Sequence, residues 1–201
     1  ISIDIFISYF GDKFNKVTQK CQNKFNNFKQ KGEISYIFSN HIFRKLLLIL
    51  GIMSKVRITK EFSFESAHSL LGYDGKCSHI HGHSYKMFVT VIGTQQFDPA
   101  SPKDGMILDF KVLKEIVNRC IIDKFDHTLI LMEGSPLSEP LNLSYGNVIT
   151  LPFRPTSENM VSYFAEILNR ELSTYQNTSL YSIRLHETAT SFVEWFADDN
   201  L

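Results

Sequence analysis

The chain has 201 residues, of which 43% are hydrophobic and 13% aromatic, so it is long enough to bury one good core. Its 21 basic residues balance its 21 acidic residues, and the overall charge therefore gives no reason to expect a nucleic acid or an anionic membrane as partner. Three widely spaced cysteines do not make the framework of a disulfide-stapled secreted protein, and they favour a reducing cytoplasm.

Residues 1–52 differ in composition from the rest of the chain. They contain eight Lys/Arg, three Asp/Glu and no proline, and they lack a sustained period of a helix or a strand. The first methionine is Met53. We therefore expect residues 1–52 to be an extension, either upstream sequence translated in frame or a disordered segment, and residues 53–201 to form the domain. The alternative is a secretory signal at residues 43–53, but its apolar run is short and no Ala-x-Ala cleavage site follows it.

Two strands are predicted after Met53. Apolar residues alternate from Val56 to Phe64, which is typical of a half-buried strand. Turn residues follow at positions 72–75, and the segment 83–93 is again rich in β-branched and aromatic residues. These two strands should pair as a long antiparallel hairpin.

Two amphipathic helices follow the hairpin. Asp109 is a natural N-cap for the first, and the residues at helical spacing are Phe110, Leu113, Ile116, Val117 and Cys120. Thr156 or Ser157 caps the second helix and Glu158 lies in its first turn. The predicted buried stripe of this helix is Met160, Val161, Phe164, Ile167 and Leu168.

The remaining segments complete the predicted fold. Residues 133–152 predict a long surface loop that carries a short strand at most. Residues 180–188 and 190–196 alternate well enough to be two final strands. The order ββααββ indicates an α+β fold, with an antiparallel sheet and both helices on one of its faces.

Metal-binding side chains are concentrated in CSHIHGHSY, residues 77–85. His81 and His83 are two residues apart at the start of the second strand, so their side chains point the same way. His68 ends the first strand, and the hairpin brings it next to them. Three imidazoles with one open position are typical of a catalytic zinc site, because structural sites fill all four positions. The alternative is a solvated turn or a cluster that binds metal only by accident. His79 belongs to the loop and is left outside the site.

Six motifs in order resemble those of the 6-pyruvoyl-tetrahydropterin synthase and 6-carboxy-tetrahydropterin synthase family: FSFESAH, CSHIHGHSY, GMILDF, FDHTLI, PTSEN and LHETAT. They cover nearly all of residues 54–197, and nothing in residues 1–52 belongs to the family. The resemblance implies a tunnelling fold, or T-fold, in which ββααββ units join their sheets into an oligomeric barrel. Members of the family are usually hexamers with active sites between subunits.

The resemblance also implies roles for the matched residues. One zinc ion per subunit would be bound by His68, His81 and His83. The catalytic residues would be Cys77 as the base, with Asp126, His127 and Glu187. The pterin would be contacted by Thr156, Ser157, Glu158 and Glu187. Without the other motifs, Asp126 and His127 would be interpreted as a helix-end cap, and Glu187 as a surface acid.

The spacing Cys-x-x-x-His-Gly-His, from Cys77 to His83, resembles that of bacterial 6-carboxy enzymes of queuosine synthesis, whereas animal-type pyruvoyl synthases have two further residues there. We therefore expect a zinc-dependent lyase that converts 7,8-dihydroneopterin triphosphate to 6-carboxy-5,6,7,8-tetrahydropterin, acetaldehyde and triphosphate. The alternatives are triphosphate elimination to 6-pyruvoyl-tetrahydropterin, and a non-catalytic zinc- or pterin-binding module. The segment 133–152 is longer than the corresponding loop of compact bacterial members, and we expect it to reshape the pocket rim.

Overall fold

The computed structural model describes residues 54–96, 98 and 100–200, so the predicted N-terminal extension and the alternative secretory signal lie outside the described residues. The strands are β1 (Lys55–His68), β2 (His81–Thr94), β3 (Thr128–Met132), β4 (Val148–Leu151), β5 (Thr178–His186) and β6 (Phe192–Phe196). The helices are α1 (Phe110–Val117), α2 (Ser138–Tyr145) and α3 (Ser157–Leu172). The first continues through a π-helical turn, Asn118–Ile122, into a last α-helical turn, Asp123–Phe125.

The six strands form one sheet in the order β4–β3–β1–β2–β5–β6. The predicted hairpin is confirmed, because β1 and β2 pair antiparallel over their whole length, and β5 and β6 extend the antiparallel part. The sheet is mixed rather than antiparallel throughout, since β3 and β4 pair parallel beside the end of β1. These two additional strands have five and four residues, which is too short for a clear alternating pattern.

The segment 133–152 contains regular structure that the sequence prediction missed. It holds β4, as the allowance for one short strand anticipated, but it also holds the helix α2. The helix has a weak apolar stripe and carries Pro140 in its first turn, where proline is tolerated, so its pattern did not stand out. Gly146 ends the helix with a φ of 76°, a left-handed conformation that suits glycine.

The core lies between the sheet and the two long helices. Both predicted N-caps are confirmed: Asp109 accepts from the Lys111 N–H at 2.8 Å, and Thr156 accepts from the Asn159 N–H at 3.3 Å. The predicted helix stripes are buried except at two positions. Ile167 is only partly buried. Phe110 is 49% exposed, because the buried face of α1 begins one turn later. No helix in the described part of the chain is long and apolar enough to cross a membrane.

Gly93 is required by close packing at the end of β2. A Cβ atom there would lie 2.2 Å from Cγ2 of Ile107 and 2.3 Å from the carbonyl oxygen of Asn177. We expect Gly93→Ala to lower the free energy of unfolding by about 3 kcal/mol, because a backbone atom has to move. Urea denaturation measures the change. Gly134→Ala is the control, since a Cβ there meets no atom within 4 Å and only its left-handed φ of 78° is strained, at about 1 kcal/mol. Equal losses in the two variants would contradict the packing argument.

Candidate functional site

The three predicted histidines meet at the end of the β1–β2 hairpin. His68 pairs directly with His81 across the hairpin, and His83 lies two residues further along β2. One ring nitrogen from each lies within 4.8 Å of the other two. The ring centroids are 4.5, 4.9 and 5.0 Å apart. The register of the hairpin therefore builds a three-imidazole cluster, which we call the histidine triad.

Hydrogen bonds fix which nitrogen of two of these rings faces the centre. Nδ1 of His68 donates to the carbonyl of Pro155 at 2.8 Å, and Nδ1 of His81 donates to the carbonyl of His79 at 2.8 Å. Each Nε2 therefore carries a lone pair, and these two Nε2 atoms are 3.0 Å apart. Two lone pairs at that distance repel unless a proton or a cation lies between them. The arrangement suits a bound cation.

The third ring fits the same interpretation. Nε2 of His83 is buried and has no hydrogen-bond partner among the described residues. Burial lowers the pKa of His68 and of His83, although the negative charge of Glu187 partly opposes this. Neutral imidazole is the form that binds a metal. A buried nitrogen without a partner, beside two further lone pairs, makes the histidine triad a candidate site for a divalent cation.

A cavity of about 350 Å³ opens beside the histidine triad. The sequence-predicted residues that line it are His68, Cys77, Thr156, Ser157, Glu158 and Glu187. Four parts of the chain thus line one cavity: the end of β1, the loop between β1 and β2, the start of α3 and the turn after β5. Sequence reasoning missed the apolar walls, which are formed by Leu70, Tyr73, Phe192 and Val193. These residues lie in loops and on an edge strand, where single apolar side chains carry no periodic signal.

The carboxylate of Glu187 lies between the cavity and the histidine triad. Its Oε1 accepts from the hydroxyl of Ser157 at 2.9 Å, and is 3.7 Å from Nε2 of both His68 and His83. The backbone N–H of Glu187 donates to the carbonyl of Ser191 at 3.1 Å, which closes the turn between β5 and β6. This carboxylate is oriented by its contacts, unlike a free surface acid.

Cys77 lies in the short 3-10 turn Lys76–Ser78 at the cavity wall, and its thiol is half-buried and unpaired. Two bonds tie this turn to the residues that follow His68. The N–H of Leu70 donates to the carbonyl of Cys77 at 2.9 Å, and the hydroxyl of Ser69 donates to the carbonyl of Ser78 at 2.8 Å. The turn that carries the thiol is therefore fixed to the end of the strand that carries His68.

Asp126 and His127 lie apart from this cavity. Oδ2 of Asp126 is 3.0 Å from Nδ1 of His127, and its Oδ1 accepts from the N–H of Glu65 at 2.9 Å. The bond from Glu65, followed by the contacts with His127, lowers the pKa of the Asp126 carboxyl. The His127 side chain is 77% exposed, and neither residue is among those that line the cavity. Within one subunit, the structure does not bring this pair together with Cys77.

Tyr85 is a buried neighbour of the site that sequence reasoning missed. Its hydroxyl is 3.4 Å from Nδ1 of His68, and its ring stacks on Phe64 with centroids 4.9 Å apart. Burial raises the pKa of this phenol. The signal was available, because position 85 continues the parity of His81 and His83 along β2. Tyr85 thus supports the histidine triad from the core side.

The fold and the site together define a class of protein. A sheet with helices on one face, whose central hairpin presents three imidazoles beside a thiol and a carboxylate, is a T-fold with a candidate three-histidine metal centre.

Comparison with known proteins supports this class. The family model described as 6-pyruvoyl tetrahydropterin synthase matches residues 57–198. A 6-carboxy-5,6,7,8-tetrahydropterin synthase of Haemophilus influenzae is 39% identical over 143 residues, which cover 69% of this chain and 97% of the relative. A protein of the same name from Synechocystis is 31% identical over 141 residues, covering 70% and 92%. The solved 6-pyruvoyl tetrahydropterin synthase of Caenorhabditis elegans superimposes with a TM-score of 0.52 at 26% identity, covering 72% and 97%.

The chain therefore belongs to the 6-pyruvoyl tetrahydropterin synthase family, as its motifs predicted.

Proposed function

We propose that the chain is a zinc-dependent carbon–carbon lyase that converts 7,8-dihydroneopterin triphosphate to 6-carboxy-5,6,7,8-tetrahydropterin, acetaldehyde and triphosphate. The observation that carries this proposal is the 39% identity to a relative named 6-carboxy-5,6,7,8-tetrahydropterin synthase, 97% of which is covered. The short spacing between Cys77 and His81 supports the same choice. The name of the Caenorhabditis elegans structure keeps 6-pyruvoyl-tetrahydropterin as the alternative product.

The histidine triad fits zinc, since three neutral imidazole nitrogens leave one coordination position open. When bound, the ion supplies Lewis-acid stabilisation of the negative charge that develops on the hydroxyl-bearing side chain of the substrate. The bonds from His68 to Pro155 and from His81 to His79 keep each Nε2 lone pair directed inward. The site is therefore organised by this chain's own backbone before any ion enters.

Cys77 acts as the base that takes a proton from a carbon of the substrate side chain. Its thiol lines the same cavity as His68, so a substrate side chain held at the histidine triad would share that cavity with the thiol. The thiolate is the form of a cysteine that takes up a proton. Asp126 and His127 exchange protons with the thiol or with the substrate in a site that two subunits share.

Glu187 orients the pterin ring. The Ser157 hydroxyl binds Oε1, while Oε2 has no hydrogen-bond partner among the described residues. A carboxylate in that state accepts hydrogen bonds from the amino group and ring N–H of a pterin. Thr156 and Glu158 line the same cavity and complete the pterin contacts.

The pair Asp126–His127 contributes to a site that a second subunit completes. The sheet has open edges suited to such an assembly. β1 pairs with β3 only at Ser66–His68 and Glu65 is bonded to Asp126 and His127, so Lys55–Phe64 have no partner strand on that side among the described residues. At the other end of the sheet, β6 is an edge strand. Joining these edges between copies closes the sheets into the barrel that the family resemblance implies, with a hexamer as the expected assembly. The active sites then lie between subunits.

A cytoplasmic location and a role in queuosine synthesis complete the proposal. The two cysteines that the structure describes, Cys77 and Cys120, are both unpaired, which suits a reducing compartment. The role in queuosine synthesis is proposed because the Cys-x-x-x-His-Gly-His spacing resembles that of the bacterial 6-carboxy enzymes of this pathway.

A product assay tests the proposed reaction. Purified, zinc-loaded protein incubated with 7,8-dihydroneopterin triphosphate should release acetaldehyde in a one-to-one ratio with 6-carboxy-tetrahydropterin, both measured by mass spectrometry. 6-Pyruvoyl-tetrahydropterin without acetaldehyde would overturn the product and select the alternative enzyme. Pterin binding with neither product would select the non-catalytic module.

A further inference from the structure

The backbone of His127 is held in an uncommon conformation. Its φ is 56°, in the left-handed region that residues other than glycine rarely adopt. Such a conformation persists only where neighbouring groups hold it in place. The contacts around this residue therefore show what keeps its imidazole beside Asp126.

Two hydrogen bonds hold the peptide groups on either side of His127. Its N–H donates to the carbonyl of Glu65 at 2.6 Å. Its carbonyl accepts from Nδ2 of Asn147. The first bond comes from β1, the strand that also carries His68. The second comes from the segment 133–152, which lies between the motifs FDHTLI and PTSEN and belongs to neither.

Asn147 is itself fixed on both sides. Its carbonyl accepts from the N–H of Leu129 at 3.0 Å, and the next residue, Val148, pairs with Leu129 in the parallel β3–β4 ladder. On its other side, Gly146 ends α2 in a left-handed turn. The helix and the strand of this segment thus present one side-chain amide to the carbonyl of His127.

We propose that Asn147 is a positioning residue for His127, so that one side chain of the segment 133–152 supports the catalytic apparatus. This proposal rests on the proposed role of His127. Asp126 is held by the N–H of Glu65 and in turn holds Nδ1 of the imidazole. Asn147 restrains the peptide between His127 and Thr128, whose rotation would carry the imidazole away from Asp126.

Asn147→Ala tests the proposal. We expect kcat to fall about tenfold, with KM and zinc content unchanged, because one hydrogen bond that orients a reacting group is lost while substrate and metal contacts remain. The matched control is Asn142→Ala, which removes another exposed amide from the same segment. The Asn142 side chain has no hydrogen bond among the described residues, so this variant should keep the wild-type kcat.

A double-mutant cycle shows whether Asn147 acts through His127. In a His127→Ala background, Asn147→Ala should have no further effect on kcat. A tenfold loss that persists in this background would overturn the proposal, and so would a wild-type kcat in Asn147→Ala alone.

A crystal structure of Asn147→Ala separates this inference from the proposed function. We expect His127 to leave the left-handed region or its imidazole to move away from Asp126, and an unchanged His127 would overturn the positioning role. Full activity of His127→Ala would instead show that His127 has no role in catalysis. The conformation of His127 in the Asn147→Ala crystal would still show whether Asn147 positions it.

Discussion

Cys77→Ala should remove nearly all turnover while leaving the metal in place. The thiol lines the cavity beside His68 but does not belong to the histidine triad, so its removal takes away the proposed base without removing a ligand. General base catalysis typically contributes about 10²–10⁴-fold, and we expect a loss of about 10³-fold in kcat. Zinc content measured by elemental analysis should equal that of the wild type.

Cys120→Ala is the matched control for this experiment. Cys120 lies in the π-helical turn that continues α1, is buried in the core with 4% of its surface exposed, and does not line the cavity. Its loss should leave kcat unchanged and affect only stability. If Cys77→Ala turned over substrate as fast as Cys120→Ala, the proposed base would be refuted, and a non-catalytic metal- or pterin-binding module would become the better interpretation.

His83→Ala should remove both the metal and the activity. The zinc affinity is expected to fall by more than about 100-fold, because loss of a residue that merely supports a ligand already costs 10–100-fold. Competition with a chelating dye measures this affinity. The metal-free variant should be no less stable to urea than the metal-free wild type, since the substitution deletes a buried nitrogen that has no partner among the described residues.

His79→Ala provides the control for the triad. His79 lies in the same segment, but only its backbone carbonyl contacts the histidine triad, by accepting a hydrogen bond from Nδ1 of His81. Alanine keeps that carbonyl. We expect wild-type zinc affinity and kcat. Equal affinities in His83→Ala and His79→Ala would show that the histidine triad does not hold the metal.

The hairpin and the histidine triad could be predicted because both depend on residues that are close together in the sequence. Alternating apolar residues set which face of β1 is buried, and the antiparallel register then places His68 opposite His81. The caps at Asp109 and Thr156 followed from residues that satisfy free N–H groups at helix starts.

The parts that sequence reasoning missed depend on contacts between distant segments. The parallel strands β3 and β4 are short, and their pairing depends on where α2 returns the chain. The bond from Asn147 to His127 follows from that pairing and has no motif of its own. The separation of Asp126 and His127 from Cys77 has the same origin, because sequence order does not say which surface of a subunit each motif occupies.

The central claim is that a divalent cation held by the histidine triad is required for the reaction. The most direct test removes all metal with a chelator and then restores zinc in steps, while acetaldehyde release from 7,8-dihydroneopterin triphosphate is followed. The account predicts no turnover in the metal-free protein and a linear rise that levels off at one zinc ion per subunit. Full turnover by the metal-free protein would contradict it.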